Sequence, residues 1–292
     1  MDIKDILESF EFFDGKYKRE QVGFAIGKRE EITPHLLYIL HETLESAEQY
    51  VEDKNRYAHI YALFLLAHFK EPQAHGLIVD LFSLPGDISK NLFGDIITED
   101  LPVILLRTCN RNPERIKGLV SNTAADEYCR ASAARAIIFG VVEGIIPREE
   151  AIAFFESAFT GGQTGYVSDF HSGLACCIHD IYPEELMKTI EAAFKNGMID
   201  PWRIGLHNFK RALLKGKEAC LEDLKRELAC RSLDNLHKTM SGWACFRQDT
   251  SSPFPAKLSA SDGSIERERT KKNRRKIATA SKKKNRKTKK KR

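Results

Sequence analysis

The chain has 292 residues, 42% hydrophobic and 9% aromatic, enough apolar material to bury one large core or a continuous repeat stack. No run approaches the roughly 18 apolar residues that cross a bilayer, and Met1 to Phe13 carries Asp2, Asp5 and Glu8 where a secretory leader would be basic, so neither a membrane-spanning nor a secreted chain is expected. The net charge of +5 is unevenly divided: residues 251–292 hold 17 Lys or Arg against three acids, and residues 1–250 hold 29 against 38, an acidic body before a basic end.

Residues 1–30 read as an N-terminal helical segment, and from there prolines recur at Pro34, Pro72, Pro113, Pro147 and Pro183, spaced 38, 41, 34 and 36 residues apart. That is the period of a helix pair. Each proline leads into a helical pattern, and proline suits the first helical position because the N–H it lacks has no partner there. The prolines therefore mark the second helix of each pair. Pro147-Arg-Glu-Glu and Pro183-Glu-Glu-Leu also place acids in the first turn, where the helix dipole favours them. The first helices lie between the prolines: Arg56 to Phe69, with Ile60, Leu63, Phe64 and Ala67 at helical spacing, and Glu127 to Val142, with Ala131, Ala134, Ile137 and Ile138. Alanines at 131, 133, 134, 136 and 175 allow neighbouring helices to approach closely. No alternating strand pattern interrupts the series. The expected fold is all-α, a HEAT-like α-solenoid over residues 31–235, followed by a linker at 236–250 and a disordered basic tail at 251–292.

Candidate chemistry follows in chain order. His41-Glu42-Thr43-Leu44-Glu45 fails the HExxH zinc pattern at its last position. Asp95, Thr98, Glu99 and Asp100 are carboxylate-rich enough for a divalent cation, but an N-cap at Thr98, acids in the first turn and Pro102 inside that turn explain them as a helix start. Asp126, Glu127, Arg130 and Arg135 open and line the next helix, with Asp126 and Arg130 spaced to pair at i,i+4. Gly161-Gly162-Gln163-Thr164-Gly165 lacks the lysine and preceding strand of a phosphate loop. Asp169, His171, Cys176, Cys177 and His179 form the densest ligand-like cluster. On one helix, however, His171 and His179 point about 80° apart and the cysteines elsewhere, so packed thiols and half-buried histidines are expected. Asp200-Pro201-Trp202-Arg203 reads as N-cap, helix-initiating proline and packed tryptophan; an exposed Trp202 would instead suggest a partner anchor.

The seven cysteines are odd in number and scattered through apolar stretches, which suits reduced thiols in a cytoplasm. No cofactor, metal site or catalytic set is expected. Residues 265–292 hold 16 Lys or Arg, almost no large apolar residue and no aromatic, so the tail cannot pack a core and has no platform for stacking bases. Lys271, Lys272, Arg274, Arg275, Lys276, Lys282, Lys283, Lys284, Arg286 and Lys287 are its candidate contacts to a polyanion such as RNA, DNA or the ribosome, bound without regard to sequence and weakened by salt.

The segments Leu84-Pro85-Gly86-Asp87, Gly94-Asp95-Ile96-Ile97-Thr98-Glu99-Asp100-Leu101, Ala125-Asp126-Glu127-Tyr128, Pro183-Glu184-Glu185-Leu186 and Gly197-Met198-Ile199-Asp200-Pro201, in that order, resemble an uncharacterised bacterial family known as a domain of unknown function. The resemblance runs from about residue 30 to residue 225 and implies a helical, HEAT-like fold without an activity. Longer members of that family often end in a SEC-C zinc motif, whereas this chain has only Cys245 before its basic end. The function expected is a non-catalytic scaffold for a protein partner, with Asp95, Glu99, Asp126, Arg130, Arg135 and Trp202 as candidate contacts and the tail as an electrostatic anchor. The alternative is a HEAT-like nucleic-acid-binding protein or DNA-base-processing enzyme, against which the acidic body argues.

Overall fold

The computed structural model describes residues 1–160 and 167–246, and among the described residues there are seventeen α-helices, two short 3-10 helices and no strand. The fold is all-α. The first helix, α1 (Ile3–Glu11), owes its start to the acids noted above: Asp5 N donates to the Asp2 carboxylate at 2.8 Å, and Asp2 N donates back to Asp5 at 3.2 Å. This reciprocal box satisfies two N–H groups that a helix start leaves free. Next come α2 (Arg19–Gly27), α3 (Arg29–Glu45) and α4 (Ala47–Glu52).

From there one local device repeats. The helix α5 (Ala58–Phe69) ends at Lys70 in the left-handed region, and Pro72 precedes α6 (Ala74–Phe82). After α7 (Ile88–Phe93) and α8 (Ile96–Glu99), α9 (Leu101–Thr108) runs into left-handed Asn110 and Arg111, and Pro113 caps α10 (Glu114–Ser121). In turn α11 (Glu127–Val142) ends near Gly144 at φ +65° with Pro147 before α12 (Arg148–Thr160). Finally α13 (Asp169–Asp180) ends near Tyr182 at φ +75°, and Pro183 opens a 3-10 turn leading to α14 (Met187–Lys195). A left-handed residue turns the chain out of the first helix, and the proline cannot continue it. Four of the five prolines thus mark second helices, from one or two residues outside the helix and not from its first position. Pro34 is the exception, because it lies inside α3, which starts five residues earlier at Arg29.

These pairs form two rows. The helices α5, α9, α11, α13 and α15 (Leu206–Lys215) pack each against the next, with α3, α6 and α10 packed in sequence behind them and α12 and α14 continuing that side. Ion pairs cross between second helices, Arg115 to Asp80 at 3.5 Å and Lys117 to Glu150 at 2.6 Å. Arginines also reach across to the free carbonyls at neighbouring helix ends: Arg107 to Ala67 and His68, Arg111 to Gly144, and Arg148 to Ile181 and Tyr182. A cation there meets both the unpaired acceptors and the negative end of the dipole. Between α11 and α13 the approach is closest at Gly173, where an added Cβ would lie 2.6 Å from Ala131 Cβ.

The C-terminal helices run back along the first row. Helix α16 (Lys217–Cys230) packs on α15, α13 and α11, and α17 (Leu236–Ser241) packs on α5 and α2. On the way Arg231 donates to the Glu99 carbonyl at 2.6 Å, Asp234 pairs with Arg107 at 2.8 Å, and Leu233 O accepts from His68 at 2.9 Å. The run ends in an aromatic clasp. Trp243 meets Phe64 edge-on at 4.9 Å, and Phe246 packs against Phe13, Tyr17 and Tyr57. Helix α5 is consequently buried on every side, from Ile60 through Ala67, as expected of a helix enclosed between layers. The stretch 236–250, expected as a linker, carries α17 and a second 3-10 turn (Ala244–Phe246), with Leu236, Met240 and Phe246 buried.

Candidate functional site

The residues singled out from sequence separate into different roles. Asp126 is the N-cap of α11 and accepts from Tyr128 N at 2.8 Å, while Arg130 donates to Val120 O at 3.0 Å and lies 3.8 Å over the Phe170 ring. The expected Asp126–Arg130 pair gives way to these contacts because the better acceptor is the open end of α10. Glu127 reaches the next unit, accepting from Asp169 N at 2.7 Å and Phe170 N at 3.3 Å at the start of α13. Arg135 faces the returning C-terminal helix: it donates to Asp180 at 3.0 Å and to both Glu227 oxygens, over the Phe139 ring. All three of its charged contacts are internal.

Asp95 and Glu99 are exposed at the ends of α8; Asp95 stands apart from these groups, whereas Glu99 pairs at 3.9 Å with Arg231, which also pairs with the Glu227 that holds Arg135. Thr98 is inside α8, donating to Asp95 O at 3.2 Å, and Asp100 occupies the N-cap of α9, so the cap falls two residues later than expected. Burial beside Glu99 pushes the Asp100 carboxyl up to about 6. Asp200, Pro201, Trp202 and Arg203 form a turn and not a helix start, with Trp202 N bound to Asp200 Oδ1 at 2.9 Å and the indole 96% exposed. The expected packed tryptophan is therefore wrong. Around α13, Cys177 is buried, His179 bonds Asp180 at 2.8 Å, and His171 is buried against Phe159 and Phe170 with neither ring nitrogen hydrogen-bonded. Among the described residues no three His, Cys, Asp or Glu side chains come together as a metal set. The glycines at 161–165 and the ten tail cations lie outside the described residues.

The openings among the described residues include three with distinct linings. One of about 710 Å³ sits between α9, α11 and α16, lined by Lys70, Arg107, Arg111 and Lys225. Its arginines are committed to helix-end carbonyls and Asp234, whereas Lys70 and Lys225 make no ion pair among the described residues. A second, about 270 Å³, lies between α13, α15 and α16, where Lys215 pairs with Asp223 and both Asp180 and Glu227 hold Arg135.

The third differs. A groove of about 580 Å³ opens between α1, α3 and the start of α5, with Ile3, Leu7, Ile39, Tyr50 and Ala58 as its apolar lining. Around these stand Glu8, Glu11, Glu42, Lys4, Arg56 and His35. Tyr38, 66% exposed, projects from α3 at the edge. Arg56 stacks 4.7 Å over the Tyr50 ring and pairs with Glu42 at 3.7 Å, and Lys4 pairs with Glu8 at 3.6 Å. Glu11, His35 and Tyr38 make no side-chain hydrogen bond among the described residues. Such an apolar lining, with Glu11 as the unpaired carboxylate on an otherwise ion-paired edge, is suited to an apolar anchor with a cationic flank. The available sequence signal was in α1, where apolar residues recur at Ile3, Ile6, Leu7 and Phe10. Ile6 and Phe10 enter the core, and Ile3 and Leu7 are left to line the groove.

Comparison with known proteins places this architecture. A family model described as "Protein of unknown function (DUF1186)" matches residues 1–247. The chain belongs to this family. The match takes in α1, α16 and α17 as well as the paired helices, beyond the part that the sequence segments suggested, and stops where the basic end begins. Uncharacterized proteins of Chlamydia trachomatis serovar D and Chlamydia muridarum are each 32% identical to it over 225 residues, 77% of this chain and 89% and 90% of theirs. No solved structure matches. No helix among the described residues is long and apolar enough to cross a membrane.

Proposed function

We propose that the protein is a non-catalytic binding module, in which the groove between α1 and α3 holds an apolar-anchored, positively flanked helical segment of a protein partner. The basic C-terminal residues would add a second, electrostatic hold on a polyanion. The observation that carries this reading is the groove itself: an apolar lining bordered by three carboxylates, of which Glu8 and Glu42 pair with Lys4 and Arg56 and Glu11 is unpaired. The helices α5, α11 and α13, by contrast, carry the chain's own α17 and α16 packed on them, so less of that row is open to a partner helix. An acidic body also favours a cationic protein segment over nucleic acid.

The test is a chemical-shift titration of the full chain with two designed amphipathic helical peptides, one of Leu and Lys and one of Leu and Glu. The Lys peptide is expected to shift resonances of Leu7, Ile39 and Tyr38, with an affinity that falls about thirtyfold in Glu8→Lys, Glu42→Lys, since each reversed charge costs about 1 kcal/mol at a partly desolvated edge. Equal binding of the Leu/Glu peptide, or shifts confined to other helices, would refute the assignment. A parallel salt series with a nucleic acid, with and without residues 251–292, tests the electrostatic hold. Affinity should fall steeply with log salt only when those residues are present.

A further inference from the structure

At the opposite end of the helix series is a surface of contrary chemistry that the groove does not use. From Pro201 to Lys217 the chain carries Arg203, Lys210, Arg211, Lys215 and Lys217 and no Asp or Glu, within a body in which acids outnumber cations. The same stretch presents three exposed large apolar side chains: Trp202, Leu206 and Leu214, the last 88% exposed. Helix α15 turns Phe209 and Ala212 into the core and leaves Leu206, Lys210 and Leu214 outward. At four-residue spacing these fall within about 80° of one another, a single stripe along a helix roughly 15 Å long.

Trp202 is held rigidly at the head of this stripe. Its N–H is bound to Asp200, Asp200 N donates to Ser172 Oγ at 2.9 Å, and Arg203 pairs with Asp169 at 3.5 Å, so the turn is pinned to α13. Lys215 is held by Asp223, whereas Lys210 and Arg211 make no ion pair among the described residues. The indole is thus displayed on a fixed turn directly ahead of the helix that carries the exposed leucines and the unpaired cations.

We infer that this face docks on an anionic lipid bilayer, with Trp202 and Leu214 entering the boundary between headgroups and acyl chains and Lys210 and Arg211 contacting acidic headgroups. The shape of the surface decides between a bilayer and a protein. Trp202, Leu206 and Leu214 line none of the openings. They project, and projecting side chains are buried by a soft continuous phase without needing a matched recess. Tryptophan and leucine on a cationic helix lying in the interface plane are the usual composition for such docking. Since no described helix crosses a membrane, the contact is peripheral. The basic C-terminal residues add salt-sensitive attraction to any anionic surface, so the test must separate that attraction from insertion.

The experiment uses the full chain carrying Trp243→Phe, which leaves Trp202 as its single tryptophan. It is mixed with vesicles of phosphatidylcholine alone or with an equal part of phosphatidylglycerol, at low and high salt. Trp202 emission is expected to move to shorter wavelength and to be quenched by brominated acyl chains only on the phosphatidylglycerol vesicles. Trp202→Ala, Leu214→Ala in the otherwise native chain, with unchanged circular dichroism, should lose about a hundredfold of the vesicle affinity remaining at high salt, about tenfold for each large apolar side chain no longer buried. Unmoved emission while the chain still sediments with vesicles would overturn the inference and assign binding to the basic end. Concentration-dependent self-association abolished by Leu214→Lys, without any vesicle-dependent shift, would overturn it in favour of a second copy of the chain.

Discussion

Replacing Arg148 with alanine should cost about 3 kcal/mol, because its guanidinium joins two successive helix pairs through four hydrogen bonds. Nε donates to Ile181 O at 2.6 Å, Nη2 to Tyr182 O at 2.5 Å, and Nη1 and Nη2 to the two Glu185 oxygens at 2.6 and 2.8 Å. Its side chain is 7% exposed. Removing it leaves two carbonyls at the end of α13 without their donor, each worth about 1 to 3 kcal/mol when unsatisfied. Breaking a buried ion pair costs about 3 to 5 kcal/mol. Glu185 is half exposed and can rehydrate, which places the expected loss at the low end. The bidentate pair also holds the Glu185 carboxyl below its usual range, so Glu185→Gln should cost about 1 kcal/mol, the difference a charge-assisted bond makes. Urea titration by circular dichroism gives the total, and hydrogen exchange locates it. Protection should fall first in α12, α13 and α14, since these helices pack on one another and the lost bonds lie between them. A loss below about 1 kcal/mol with unchanged exchange would show that arginine-to-carbonyl bonds do not couple the pairs.

Three further outcomes are expected. Burial lowers His59 to about 4 and His75, beside Arg115, also to about 4. Both are neutral in the fold and titrate near 6.5 when unfolded, so their stabilisation is complete above pH 6.5 and declines as pH falls towards 4. At pH 5 each has lost about 2 kcal/mol, and Asp100, raised to about 6, returns about 1.4 kcal/mol by the opposite sign. The unfolding free energy should fall by about 2 to 3 kcal/mol between pH 7.5 and pH 5, with a shallower slope in His59→Gln; a flat profile would contradict the burial of these rings. Gly173→Ala should destabilise by about 1 to 3 kcal/mol through overpacking against Ala131, and Ala131→Gly should restore most of it in the double variant, a coupling read from a double-mutant cycle. Asp126→Ala should cost about 1 kcal/mol by loss of the α11 cap, whereas Asp95→Ala, whose side chain caps nothing, should be neutral in the same melt.

What the residue pattern alone determined is local. Helical class, the helices read at 56–69 and 127–142 and found at Ala58–Phe69 and Glu127–Val142, and the helix-pair period are all set by features that act within one or two turns: apolar spacing, N-caps, and prolines that cannot continue a helix. Pro34 escaped this logic because a proline inside a helix and one before it differ only in what precedes them. The fate of Trp202 was not legible either. Asp-Pro-Trp-Arg is compatible with a helix start and with a turn, and the choice came from Ser172 and Asp169 on α13, about 30 residues away in sequence. Arg135 illustrates the same limit, since its partner Glu227 arrives from a helix 92 residues later. The groove, the exposed stripe on α15 and the clasp of Trp243 and Phe246 on the N-terminal helices depend on which helix ends meet across the molecule. Helical periodicity says which face of a segment is apolar, and only tertiary packing says which part of that face is covered and which is left open.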